Sequence, residues 1–265
     1  TADSKNRRIV VLDPDGGWHA TIGAPVSDVL RPEYSYLPGK LVVDRAGRVY
    51  VVGPGMFEGI MEFDQDGTFA GFLGSNRVTF RLGDWIWKQI LTREQRGGMT
   101  LFIPEEFSNL DIDPQGFIYS TTRSEDAKHP VKKHNAQGMD VLKREGATLP
   151  AGDIAYNEVG TIIGPSSFVD VSVDENGVYH CLDAKRGRVF TYDGEGNLLS
   201  VFGGPGDQLG LFNNAVSIEV LDGRILVLDK GLARITVFEP SEYGMLVREA
   251  IKHHETGDYD AAAEL

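Results

Sequence analysis

One phrase recurs along this chain at intervals of roughly 45–70 residues. It consists of an apolar strand, a turn, a second strand ending near Asp, a third strand opening with Arg, another turn and a fourth strand. The fullest copy is SFVDVSVDENGVYHCLDAKRGRVFTYDGEGNLLSVFGG at 167–204, and NAVSIEVLDGRILVLDKGLARITVFEP at 214–240 lacks a clear fourth strand. Earlier copies are GKLVVDRAGRVYVVG (39–53) with GIMEFDQDGTFAGFLG (59–74), and FSNLDIDPQGFIYSTT (107–122) with VKKHNAQGMDVL (131–142). The first residues, ADSKNRRIVVLDPDGGWHATIG, give only the second half of a copy. A repeat constrains the fold more than any local motif, because each unit buries its faces only against its neighbours.

The turns between strands carry their own chemistry. Asp-x-x-Gly begins at Asp13, Asp44, Asp64, Asp113, Asp174 and Asp193, with an Asn variant running from Asn135 to Gly138. The first side chain can accept a backbone N–H two residues on, and the closing Gly supplies a left-handed residue, as a bulged hairpin requires. In the last copy the turn shortens to Asp222-Gly223. DQDG and DPDG resemble calcium loops, but none continues to a twelve-position ligand set closed by Glu, so hairpins are expected. Short hairpin strands repeated in this way predict an all-β fold, a β-propeller. Five blade units are visible, the first incomplete, with five or six expected in the complete protein. The propeller is assigned to 1–240.

A second marker is Asp, five residues before Arg, followed by a β-branched residue: Asp3/Arg8/Ile9, Asp183/Arg188/Val189 and Asp229/Arg234/Ile235. On this marker the chain resembles the NHL-repeat propellers over nearly all of 1–240. The expectation is an Asp–Arg pair clamping each hairpin, with bidentate geometry available. Two adjacent units lack it: the second reads GPGMFEGI at 53–60 and the third expands to TTRSEDAKHPVKKHN at 121–135. Their loops are therefore expected to be shaped for something else.

Two segments break the repeat. In 75–103, Asp84 is placed to cap a helix carrying Trp85, Ile86, Trp87, Ile90 and Leu91. This helical insertion reads either as a lid packing its tryptophans on the propeller or as a recognition element with aromatic anchors. After Pro240, SEYGMLVREAIKHHETG predicts a helix capped by Ser241 and stopped at Gly257, and GDYDAAAEL predicts a second. The segment 241–265 resembles the middle of a tetratricopeptide repeat, which implies further helical repeats downstream. On this reading the chain is a fragment, opening inside a blade and closing inside a helix pair.

Acids outnumber bases 39 to 26, a net charge of −13. Nucleic acid and anionic membrane surfaces are poor partners for such a chain. No apolar run approaches the roughly 20 residues of a membrane helix. Cys181, the one cysteine, reads as a buried inert thiol. The six histidines do not recur at one point of the repeat, and each reads as a surface or half-buried structural residue. No nucleophile elbow or phosphate loop is present.

Aligning the copies on their turns gives two columns on the innermost strands. One is Lys40, Asn109, Asp170 and Ser217; the other is Val42, Asp111, Ser172 and Glu219. These acids either hold a cation or polar ligand in the channel or are satisfied structurally, and the structural reading is preferred. The cluster Arg123, Lys128, His129, Lys132, Lys133 and His134 is a local exception to the acidic surface. Phe57, Trp85 and Trp87 as apolar anchors, with Arg123, Lys132 and Lys133 as charge, form the candidate binding set.

The function expected is a non-catalytic scaffold for a protein or a small polar or anionic ligand, with no metal, no other cofactor and no direct membrane contact. The family resemblance also implies an alternative, a metal-dependent lyase or lactonase-like hydrolase with its site in the central channel. It further implies a bacterial protein tethered in the cell envelope.

Overall fold

A computed structural model describes residues 1–27, 30, 34–74, 106–124, 127–154 and 164–265. Its unit is the Asx hairpin. At Asp44, Asp113, Asn135, Asp174 and Asp193 the backbone carbonyl accepts the N–H of the closing Gly three residues on. One side-chain oxygen of each also accepts the N–H groups two and four residues on, as in Asp113 Oδ1 to Gln115 and Phe117 at 3.0 and 2.9 Å. The closing glycines have positive φ, for example 89° at Gly116 and 78° at Gly177. At Asp222-Gly223 both residues have positive φ, 50° and 72°, which closes a two-residue hairpin between Leu221 and Arg224.

These turns fold the chain into five antiparallel sheets. Blade 1 holds β1 (Ala2–Asp3), β2 (Arg8–Leu12) and β3 (Trp18–Ile22); blade 2 holds β4 (Lys40–Val43), β5 (Val49–Val52), β6 (Ile60–Phe63) and β7 (Phe69–Leu73). Blade 3 holds β8 (Phe107–Ile112), β9 (Ile118–Thr122) and β10 (Val131–His134), where the expected fourth strand is reduced to a bridge between His134 and Asp140. Blade 4 holds β11 (Phe168–Val173), β12 (Tyr179–Asp183), β13 (Arg188–Tyr192) and β14 (Leu198–Gly203); blade 5 holds β15 (Ala215–Leu221), β16 (Arg224–Asp229) and β17 (Arg234–Phe238).

Four hydrophobic clusters fill the spaces between successive blades. Ile9 and Ile22 pack on Val49, Val51, Met61 and Phe63. Tyr50, Val52 and Ile60 meet Phe107, Leu110 and Ile118. Tyr119 and Val131 meet Tyr179, Cys181 and Tyr192, and Leu182 and Val189 meet Ile218, Ile225 and Val227. Each blade thus serves as the core partner of the next, so the architecture is a mostly-β propeller, with two helices after it. Beyond blade 5 the other sheet face is open, with Leu228, Ile235 and Val237 at 41%, 60% and 50% exposure.

The innermost strands β8, β11 and β15 each pair with one strand only, so one edge of each carries backbone N–H groups with no ladder partner. Side chains of the preceding blade fill that role with a fixed offset. Asp111 Oδ2 accepts Val173 N at 2.7 Å, Asp170 Oδ2 accepts Ile218 N at 2.8 Å, and Ser172 Oγ accepts Val220 N at 3.0 Å. In every case the donor is the residue following the same column position in the next blade. A β-bulge at Ser108, Val169 and Val216, the same point of the three inner strands, precedes the columns. Ser217 Oγ donates to Asp170 Oδ2 at 2.6 Å, and Asn109 Nδ2 donates to Asp170 Oδ1.

The expected Asp–Arg clamp is corrected by the structure. All three pairs lie directly opposite in register, but only Asp3 and Arg8 join, at 2.9 Å. Asp183 accepts Ser166 Oγ (2.8 Å), Ser167 N (3.0 Å) and Lys185 N (2.9 Å), and Asp229 accepts Asn213 N, Asn214 N and Leu232 N. These carboxylates tie the incoming segment of the blade to its second hairpin. Arg188 turns instead to Asp153 at 2.7 Å, and Arg234 donates to the carbonyls of Asp207, Gln208 and Leu211. The cation near Asp183 is Arg186, 3% exposed, which donates to the Gly164 carbonyl at 2.6 Å and lies 3.5 Å from Asp153 and 3.8 Å from Asp183.

The chain ends in α1 (Glu242–Glu255) and α2 (Tyr259–Glu264). Ser241 Oγ accepts Gly244 N at 3.2 Å, Asp258 Oδ1 accepts Ala261 N at 3.3 Å, and Gly257 with φ 81° turns the chain between them. Neither helix holds a buried residue.

Two outcomes follow from these contacts. Arg186→Ala should lower stability by about 3 kcal/mol, because it strips a buried ion pair, whereas half-exposed Arg188→Ala should cost no more than about 1 kcal/mol; urea unfolding of both variants measures this. Burial also holds the Asp170 carboxyl above its ordinary value of 3.8, against the lowering pull of Ser217, Lys40 and two backbone donors. The folded chain therefore keeps this proton to a higher pH than the unfolded chain does. Its contribution is complete below the unfolded pKa and is lost as pH rises through the folded one. Asp170→Asn turns an amide donor towards Ser217 and Ile218 or towards Val171, so it should cost about 1–3 kcal/mol. It should also flatten the decline of Tm between acidic and neutral pH.

Candidate functional site

The two units without the Asp marker meet at one place. Where blades 4 and 5 carry Asp183 and Asp229, blade 2 carries Gly53 and blade 3 carries Thr122. Backbone crowding explains the glycine: a Cβ on Gly53 would stand 1.9 Å from the Leu37 carbonyl oxygen, so no side chain fits. Gly39 N closes the same crossing by donating to Val52 O at 2.9 Å. Beside these two positions a groove of about 570 Å³ lies between the blades. It is lined by both substituted positions and by Lys40, Phe57, Phe107 and Arg123. Phe57 is 39% exposed, while the neighbouring Met56 is buried at 1% and pins the loop. Arg123 is exposed at the end of β9, and Glu106 supplies the groove's one acid among the described lining residues.

The structure thus brings together Phe57 and Arg123 of the candidate binding set and adds Lys40 from the channel column. The Lys132 amine lies 5.5 Å from the centroid of Phe107, a groove residue. Lys133 is not brought there. It points to the opposite side of β10, where its amine pairs with Asp113 at 3.2 Å and lies 4.5 and 5.0 Å over Phe117 and Tyr119. His134, of the same basic cluster, is 1% exposed, bonded to Ser120 Oγ at 2.8 Å, and its pKa is pushed down to about 4 by burial. Trp85 and Trp87 lie outside the described residues.

Of the channel columns, Asn109, Asp111, Asp170 and Ser172 take part in the lacing between blades, while Glu219 is exposed. Both oxygens of Asp111 accept backbone N–H groups, from Ile112 and Val173, and both oxygens of Asp170 accept two donors each. Oxygens already directed at N–H and O–H donors have few lone pairs left for a cation. Among the described residues no three His, Cys, Asp or Glu side chains converge as a metal-ligand group. Burial raises the pKa of Asp111. It also raises that of Glu219, helped there by the charges of Asp111 and Asp170.

A second cavity has no counterpart among the sequence expectations. It lies between blades 4 and 5 beneath the start of α1, measures about 350 Å³, and has His180 on its floor. His180 is 1% exposed, which corrects the expected surface or half-buried position. In YHCLD every residue is buried, so alternation carried no signal that one of them faces a cavity.

No family model matches the sequence, and no curated protein matches it. Among solved structures, a streptogramin B lyase is similar with a TM-score of 0.48 and 12% identity, over 90% of this chain and 64% of that one. A catalytically inactive virginiamycin B lyase from Staphylococcus aureus, solved with quinupristin, gives 0.48 and 11% over 89% and 64%. The computationally designed Ika8 protein gives 0.44 and 11% over 78% and 46%. The chain therefore spans just under two thirds of the lyases and under half of the designed protein. Likenesses at this level carry no statement about shared chemistry.

Proposed function

We propose that this chain is an NHL-type propeller followed by the start of tetratricopeptide-like helical repeats, and that it works as a non-catalytic binding scaffold. Its ligand is a protein segment or small molecule bearing negative charge next to an apolar group. The groove between blades 2 and 3 carries this reading. Lys40 and Arg123 line it with Phe57 and Phe107, in a chain whose net charge is −13. An aromatic anchor ringed by cations suits an acidic, partly apolar partner. The saturated oxygens of Asp111 and Asp170 also speak for binding over a metal-dependent channel reaction.

Two observations support the finer assignments. The in-register Asp–Arg pairs of blades 1, 4 and 5 match the NHL marker, though two of them act through other partners. The helix pair, capped by Ser241 and Asp258, leaves Tyr243, Met245 and Tyr259 exposed at 75%, 52% and 63%, as the first members of a helical array would.

A labelled peptide rich in Glu with one Tyr serves as the probe, with a Lys-rich analogue as control. Titration should show saturable binding of the acidic peptide only, weakened about tenfold, near 1.4 kcal/mol, by either Phe57→Ala or Arg123→Glu. Equal binding by both variants would remove the groove from the account. A stoichiometric divalent metal in the purified protein, with a turnover that chelation abolishes, would overturn the non-catalytic reading.

A further inference from the structure

The cavity between blades 4 and 5 combines features that a packed interface between blades does not need. In the same interface the cross-strand row Leu182, Val189 and Phe202 packs with Ile225. Two residues along the strands, the neighbouring cross-strand row of blade 4 is polar: His180 is opposite Thr191, and Thr191 is opposite Ser200. All three line the cavity, facing Phe202, Ile225 and Phe238. Val247 and Arg248 of α1 close it from above, with Arg248 held by a bond from Nη1 to the Gly223 carbonyl at 2.5 Å.

His180 is the telling residue. Its Nδ1 meets Thr191 Oγ1 at 2.9 Å, and its Nε2 has no hydrogen-bond partner. Burial, with the Arg248 charge second, pushes its pKa down to about 3, so the ring is neutral at ordinary pH. A buried ring nitrogen without a partner is costly unless something bonds to it, and His180 lines the cavity. When the Thr191 hydroxyl donates to Nδ1, the neutral ring presents Nε2–H as a donor. The cavity then offers one buried donor, one guanidinium and an apolar wall. At about 350 Å³ it falls near the small end of the roughly 300–1,000 Å³ range of ligand pockets. The Ser241 cap and Gly244, at the positive end of α1, also line it. Glu239 lines it too but is exposed, with its charge in solvent. Asp174, a blade 4 acid that feels the Arg248 charge, is committed to its own turn through Asn176 and Val178.

We propose that this cavity is a second ligand site, separate from the groove, for a small monocarboxylate with an aromatic or short aliphatic body. Its carboxylate lies between His180 Nε2–H and Arg248, and its body lies against Phe202, Ile225 and Phe238. The charge selects carboxylates, and the cavity volume excludes long chains. Because α1 forms the roof, an occupant also fastens the helices to blades 4 and 5.

Phenylacetate is the probe, with phenylacetamide and acetate as controls, read by ¹⁵N shifts of the histidine rings and by calorimetry on the full chain. Phenylacetate should bind with a Kd of about 1 mM or tighter and move the His180 Nε2 resonance. Phenylacetamide and acetate should each bind at least about tenfold more weakly. Arg248→Gln, on the helix surface, should weaken phenylacetate about tenfold without lowering Tm. Ile225→Phe, which fills the cavity from the opposite wall, should abolish binding; if it fails to fold, the Arg248 variant and the controls still decide. Failure of phenylacetate to shift His180, equal binding of the amide, or a crystal soak showing only water beside Nε2 would each overturn the site. None of these outcomes touches the groove between blades 2 and 3, whose peptide is a different probe.

Discussion

A strand at the rim of a central channel has one edge without a neighbour, and its backbone N–H groups need acceptors that the sheet cannot supply. In this protein the acceptors are side chains one blade back. Asp111 takes Val173 N, Asp170 takes Ile218 N and Ser172 takes Val220 N. The bond couples register across blades: slipping a strand by one residue would remove the acceptor and turn the apolar set away from its cluster. A carboxylate suits the task because one oxygen can hold its own strand while the other holds the next, as Asp170 does with Val171 and Ile218. The acids that mark the channel are therefore framework, and their raised pKa values reflect burial at that post.

A second set of carboxylates holds blades 4 and 5 and has no counterpart beside the groove. Asp183 and Asp229 tie the incoming segments of their blades to the second hairpin. Blade 2 cannot place a side chain there, because the Leu37 carbonyl occupies the space, and blade 3 has only Thr122. Beside these two positions Phe57, Phe107, Lys40 and Arg123 line the groove.

Much of the fold was legible because its chemistry is local. An Asp followed three residues later by Gly fixes its hairpin whatever surrounds it, and Ser241 and Gly257 mark their helix ends unaided. The two channel columns were also legible, since aligning the turns fixes the parity of each inner strand. The partners of Asp183 and Arg188 were not. Register places the two residues opposite each other, but segments near 153 and 164–167, distant in sequence, intercept both. Lys133 was misplaced for a similar reason. Its neighbours Arg123 and Lys132 gave it a cationic context, while strand alternation sent it to Asp113 on the other side. His180 was invisible because both faces of β12 are buried, so no polar–apolar alternation distinguishes a packed position from a cavity wall.

The lacing of the inner strands is the claim on which the rest stands, and hydrogen exchange of single amides tests it directly. Val173, Ile218 and Val220 carry N–H groups on strand edges that pair with no other strand, so a bare edge would exchange them about as fast as surface loops. The account predicts protection comparable to that of amides inside the β11–β12 ladder, such as Cys181. Fast exchange at all three positions, alongside protected ladder amides in the same blades, would contradict it.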